Sequence, residues 1–217
     1  MLANSHHSAP MNHAFSLIEM VTAIALMMIL IGSGVGLLSG SGGQSRKVGA
    51  DMLTAMIEQA RTAAITSHCY VLLAVADPGA VAGGDERCRL GLFKVQAWPD
   101  TVTDTANGVM LGRWSPLATG VVLVSGEIDG VANPLDATEL TITYNSVVPT
   151  TVKVHGIAFN PRGELHYPAG TAPVVMRIAE GGYRGGKATA NINGASGRSV
   201  ESRLKIGRVT GRAYCIN

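Results

Sequence analysis

Residues 15–38 read FSLIEMVTAIALMMILIGSGVGLL, and Glu19 is the only charged side chain among these 24 residues. A run of about 20 apolar residues, coiled as a helix, crosses the roughly 30 Å hydrocarbon core of a bilayer. A helix also satisfies its own backbone hydrogen bonds, which lipid cannot do. The stretch therefore predicts a membrane-spanning helix. A secretory signal peptide would have a basic start, a shorter apolar stretch and a cleavage site after it. Here no Lys or Arg precedes the run. A buried core helix would keep a polar face, whereas this one is apolar nearly all round.

Glu19 sharpens the reading, because a carboxylate inside a membrane helix is costly without a partner. A cut between Ala14 and Phe15 would create a new α-amine at Phe15, one helical turn from Glu19 and on the same face. The carboxylate would also lie near the positive end of the helix dipole. Cleavage thus supplies a cation that Glu19 can neutralise, in its own chain or in a neighbour.

Ala14-Phe15-Ser16-Leu17-Ile18-Glu19, followed by a long apolar stretch, resembles the cleavage and methylation signal of type IV prepilins and type II secretion pseudopilins. The resemblance implies a leader, residues 1–14, removed by a separate prepilin peptidase. It implies N-methylation of Phe15 and an assembly role for Glu19. Ala14 stands where that family usually has glycine, and the leader carries His6, His7 and His13 rather than Lys or Arg. Met11 offers an alternative start with a four-residue leader. The implied partners are the peptidase, other pilin or pseudopilin subunits, an inner-membrane assembly platform and membrane lipid. The implied location is the inner membrane, single-pass, with an extracytoplasmic head that joins a filament after assembly. The function implied is that of a structural, non-enzymatic subunit of a type II secretion or pilus-like filament. Two alternatives are a DNA- or surface-binding minor pilin and a membrane-anchored extracytoplasmic enzyme.

Downstream, residues 39–68 read as a linker followed by the amphipathic second half of a long helix. Gly32, Gly36 and Gly40 have the spacing of a close-packing helix face. Ser39–Ser45 reads as a flexible glycine-serine linker. From Asp51, the apolar residues Met52, Leu53, Met56, Ile57, Ala60 and Ala64 fall at helical spacing, with Glu58, Arg61 and Thr62 outward.

Residues 69–217 read as a β-rich head. Short apolar runs at 70–75, 90–97, 109–114, 121–124, 139–144, 151–159, 164–167 and 173–178 predict strands. Turn signals at Asp77-Pro78-Gly79, Asn107-Gly108, Asp129-Gly130 and Asn160-Pro161-Arg162-Gly163 separate them. Glycine-rich stretches at 181–186 and 193–197 read as exposed loops. The predicted class is α+β, pilin-like, with a long N-terminal membrane-spanning helix packed on an antiparallel sheet. Gly156–Gly163 and Leu204–Arg212 resemble the turn and closing strand of H-type minor pseudopilin heads, and the layout is similar to the Verru_Chthon cassette protein D group. Leu204–Arg212 is read as one final strand with a bulge near Gly207.

Composition adds limits. Apolar residues make up 47% of the chain and charged residues 15%, enough for a real core. The net charge of +2 implies no nucleic-acid partner by itself. Cys69, Cys88 and Cys215 form no CxxC pair, so a structural zinc site is not indicated. One disulfide among them is possible, and its pairing stays open. No Walker loop, GxSxG or HExxH occurs, so no catalytic residues, cofactor or metal are expected. His68, His155 and His166 lack ligand spacing. Glu127 and Asp129 flank a turn but lack the alternating oxygens of a calcium loop. Arg177, Arg184, Lys187, Arg198, Arg203, Lys205, Arg208 and Arg212 make the C-terminal part basic. That part is read as a solvated, salt-bridged face.

Overall fold

The computed structural model describes residues 18, 20–28, 41–81, 86–101, 104–144, 148–193 and 198–216. Residues 1–41 and 42–217 form two separate units. In the first, residues 18 and 20–28 are helical (α1).

All of helix α2, Ser41–Ser67, except its first residue belongs to the second unit. Leu53, Ile57, Ala60 and Ala64 recur at helical spacing and are fully buried, so one stripe of the helix is core. Burying a leucine or isoleucine side chain contributes about 1.5–3 kcal/mol, which anchors the helix where its glycine-rich start does not. At its C-terminal end Thr66 and Ser67 donate their hydroxyls to the carbonyls of Thr62 and Ala63. His68 then takes φ 52°, a left-handed conformation that stops the helix.

Strand β1, Tyr70–Ala76, follows at once. Its neighbours are β2, Arg89–Val95, and β7, Thr150–Phe159. β2 pairs with β3, Thr105–Met110; β3 runs parallel to β6, Leu140–Tyr144; and β6 returns to β7. The circuit β1-β2-β3-β6-β7-β1 is a closed barrel of five strands, which leaves no open edge. β4, Ser115–Pro116, adds to β2, and β8, Leu165–Tyr167, adds to β7.

A second sheet is built on β9, Val174–Arg184. β9 pairs with β5, Val121–Val124, and with β10, Lys187–Ala190. It also pairs with β13, Glu201–Ile206, which carries β14, Ala213–Ile216. β11, Ile192–Asn193, and β12, Arg198–Ser199, form a small separate pair.

Two cores result, and β1 serves both. Leu72, Ala74 and Ala76 point into the barrel with Phe93, Ile142, Val154 and Tyr144. Val71, Leu73 and Val75 point outward, where they meet Leu53 and Ile57 of α2 and Met176, Ile178, Leu204 and Ile206 of the second sheet. A strand buried on both faces reads as a continuous apolar run, as YVLLAVA does.

Several expectations are corrected. The fold is mostly β and centred on a closed barrel, not a pilin-like α+β arrangement of one long helix on an antiparallel sheet. Among the described residues no helix is long and apolar enough to cross a membrane. The nine described residues 20–28 span about 14 Å at 1.5 Å per residue, against the roughly 30 Å required. The rest of the predicted span, 15–17, 19 and 29–38, lies outside the described residues. Helix α2 is longer, but Arg46, Lys47, Asp51, Glu58 and Arg61 disqualify it. Single-pass anchoring in the inner membrane is therefore not supported.

Local readings shift for steric reasons. The Ser39–Ser45 linker is helical from Ser41 onward. Asn107-Gly108 is no turn but part of β3, where a Cβ at Gly108 would come within 2.9 Å of Ile142 Cδ1 inside the barrel. The loop expected at 181–186 is strand as far as Arg184, and a Cβ at Gly181 would strike the Thr189 carbonyl oxygen at 2.1 Å. Glycine here permits close backbone approach rather than a turn. Leu204–Arg212 is not one bulged strand: β13 ends at Ile206 and a turn leads into β14. Gly211 in that turn has φ 62°, and a Cβ there would lie 2.1 Å from the Gly163 carbonyl oxygen.

Candidate functional site

Ala14, Phe15 and Glu19, the residues of the predicted cleavage, methylation and assembly signal, lie outside the described residues. The adjoining α1 is described and holds Ile18, Met20, Val21, Ile24, Leu26, Met27 and Met28, each at least half exposed.

The three cysteines are free thiols, so the candidate disulfide is not formed in this structure. Cys69 is buried at the start of β1, with its Sγ 3.0 Å from Ser67 Oγ. Cys215 is exposed on β14, opposite Leu204. Cys88 is buried in the core between barrel and second sheet. Burial pushes its thiol up to about 11, against a lowering by its hydrogen bond with Tyr183, and the charge of Asp77 raises it further. The same burial raises the Tyr183 hydroxyl well above the ordinary phenol range. That oxygen accepts a 3.0 Å hydrogen bond from the Leu123 amide. Cys88 is thus a protonated, inert thiol rather than a nucleophile.

Cys88 and Tyr183 line a cleft of about 460 Å³, together with Asp77, Asp136, His155 and Lys187. Asp77 and His155 of this lining meet Glu139, so the barrel brings three ligand-type side chains together. The register sets Val75 of β1 opposite His155 of β7, and Leu140 of β6 opposite Val154. Ala76, Leu140 and Val154 point into the barrel. Side chains alternate along a strand, so His155 of β7 and the residues next to the ends of β1 and β6, Asp77 and Glu139, fall on the outer side. One donor atom from each lies within 4.8 Å of the other two. His155 Nε2 is 3.8 Å from Glu139 Oε1, and the imidazole side chain is 19% exposed. His155 Nδ1 is buried with no hydrogen-bond partner. Sequence reading assigned Asp77 to a turn, Glu139 to a strand start and His155 to no site. Their sequence spacing carries no signal, because the pairing register alone unites them.

The basic C-terminal part is tied into the fold. Arg177 grips Glu201 through two hydrogen bonds of 2.8 Å, and it also donates to the Ser125 carbonyl. Burial pushes the Glu201 carboxyl up, but hydrogen bonds from Arg177 and Ser199 outweigh it and hold it below the ordinary range. Arg208 donates to the carbonyls of Pro168, Ala169 and Ala172. Arg46 of α2 lies 3.8 Å from Glu180 of β9. His166 packs against Tyr70 and Trp98, and burial lowers its affinity for a proton. Glu127 and Asp129 flank a narrow turn closed by the Ile128–Val131 bridge.

Comparison with protein-family models, with curated proteins and with solved structures finds no match to this chain.

Proposed function

We propose that the chain is a structural subunit, cleaved between Ala14 and Phe15 by a prepilin peptidase, N-methylated at Phe15 and assembled with pilin or pseudopilin subunits into a filament serving protein secretion. The observation that carries this reading is the Ala14–Glu19 signal joined to an apolar helical segment. Exposed apolar patches of that size mark interaction surfaces, since water contact with seven large apolar side chains is unfavourable. Bundling such segments would bury them, and a buried carboxylate at Glu19 would then demand the Phe15 amine of a neighbour. The β-rich unit supplies a rigid head whose two cores fix its surface.

Intact-mass and N-terminal analysis of the protein, produced with and without a prepilin peptidase, tests the reading. The expected product is a chain beginning at N-methyl-Phe15, formed only with the peptidase. Glu19→Ala is expected to leave cleavage intact and to reduce incorporation into filaments. An uncut chain in the presence of an active peptidase sinks the proposal, and normal incorporation of Glu19→Ala removes the pairing role.

A further inference from the structure

We propose that Asp77, Glu139 and His155 bind a divalent transition-metal ion, zinc by their chemistry, beside the cleft. This inference is independent of filament assembly. It rests on four observations. Asp77 directly follows β1, Glu139 directly precedes β6 and His155 lies in β7, three neighbouring strands of the barrel. Their donor atoms already lie within 4.8 Å of one another. The 3.8 Å between His155 Nε2 and Glu139 Oε1 is a separation that two ligands of one ion span when each bond is about 2.1 Å. His155 Nδ1 is buried without a hydrogen-bond partner, and Nε2 stands 3.8 Å from Glu139 Oε1, beyond hydrogen-bond reach. Nε2 is thus the nitrogen placed to take an ion beside Glu139, while the buried Nδ1 is left to ordered water.

Charge points the same way. Two carboxylates face one imidazole, and among the described residues neither forms an ion pair with a lysine or arginine. A dication would neutralise both. One nitrogen and two oxygens suit zinc or manganese better than calcium or magnesium, which prefer all-oxygen shells. Three protein ligands leave at least one coordination position open, and two of the three, Asp77 and His155, line the cleft. Bound metal would clip together the ends of β1, β6 and β7.

The test is Zn2+ binding to the purified full chain, by calorimetry and by the rise in Tm on adding Zn2+, with Mn2+, Ca2+ and Mg2+ as comparisons. His6, His7 and His13 offer a competing site, so the measurement is repeated on the His6→Ala/His7→Ala/His13→Ala variant. One Zn2+ per chain is expected to remain in that variant. Its affinity should fall at least tenfold in His155→Gln, in Asp77→Asn and in Glu139→Gln. The two carboxylates are exposed, so their variants keep the fold even where the His155 change does not. Co2+ in place of Zn2+ should give visible absorption bands that His155→Gln abolishes. Retention of full affinity in Asp77→Asn and Glu139→Gln overturns the proposal. So does loss of all binding in the N-terminal histidine variant.

Discussion

Two charged clusters, one on each sheet, divide the molecule's polar chemistry between them. On the second sheet, Arg177 and Glu201 meet across β9 and β13 at 2.8 Å, and Ser199 and the Ser125 carbonyl take up further hydrogen-bonding capacity. On the barrel, Asp77, Glu139 and His155 converge with Nε2 of the imidazole 3.8 Å from Glu139 Oε1 and its Nδ1 unpartnered. Both are set by cross-strand register, so strand pairing by itself does not distinguish them. The difference lies in completeness. The first cluster balances its charge and its donors internally, as a structural ion pair must when it is buried. The second carries surplus negative charge and an unpartnered nitrogen beside a cleft, the arrangement expected where the missing partner comes from outside.

The comparison is broken most directly by Arg177→Met. The Glu201 side chain is only 9% exposed, so removing its partner should destabilise the protein by about 3 kcal/mol in denaturant unfolding. The double variant Arg177→Met/Glu201→Met should recover most of that loss. If Arg177→Met costs no more than an average surface change, the second-sheet cluster is not the structural pair described.

An intermediate effect concerns pH. The folded Glu201 carboxyl is held below its ordinary range, so the unfolded chain binds its proton more readily. The pair's stabilisation is therefore complete above roughly pH 4.3, the ordinary glutamate value, and fades as pH falls through the lower folded value. Unfolding curves between neutral pH and pH 3 should show this acid-dependent contribution, and Glu201→Gln should lack it. An unchanged acid slope in that variant would place the titrating group elsewhere.

The smallest effect sharpens the other side. In the presence of a chelator, Glu139→Gln removes one of two neighbouring negative charges and should raise stability slightly, by about 0.5 kcal/mol. With Zn2+ added, the order should reverse, because the wild type gains ligand-linked stability that the variant lacks. Thermal unfolding under the two conditions reads both signs.

How much was legible beforehand varied with the kind of interaction. Helix α2 was visible in the spacing of Leu53, Ile57, Ala60 and Ala64, since those residues are chosen by one local geometry. Val121–Val124 and Thr150–Phe159 were visible as apolar runs. Gly108 and Gly181 misled, because a glycine that makes room for Ile142 or for the Thr189 carbonyl looks the same in sequence as one that turns the chain. The membrane-span reading rested on residues 15–38, of which the described helical part is too short to carry it.

The sequence by itself determined which segments are apolar, the buried stripe of α2 from Leu53 to Ala64 and several of the strands, because these follow from side-chain periodicity along a local backbone. It also determined the Ala14–Glu19 motif on which the functional proposal stands. Only the tertiary structure decided that β1 pairs on both sides and closes a barrel, that β3 and β6 run parallel, and that Asp77, Glu139 and His155 share one face. Those outcomes depend on long-range register, and moving a strand by one residue would turn each of these side chains to the opposite face.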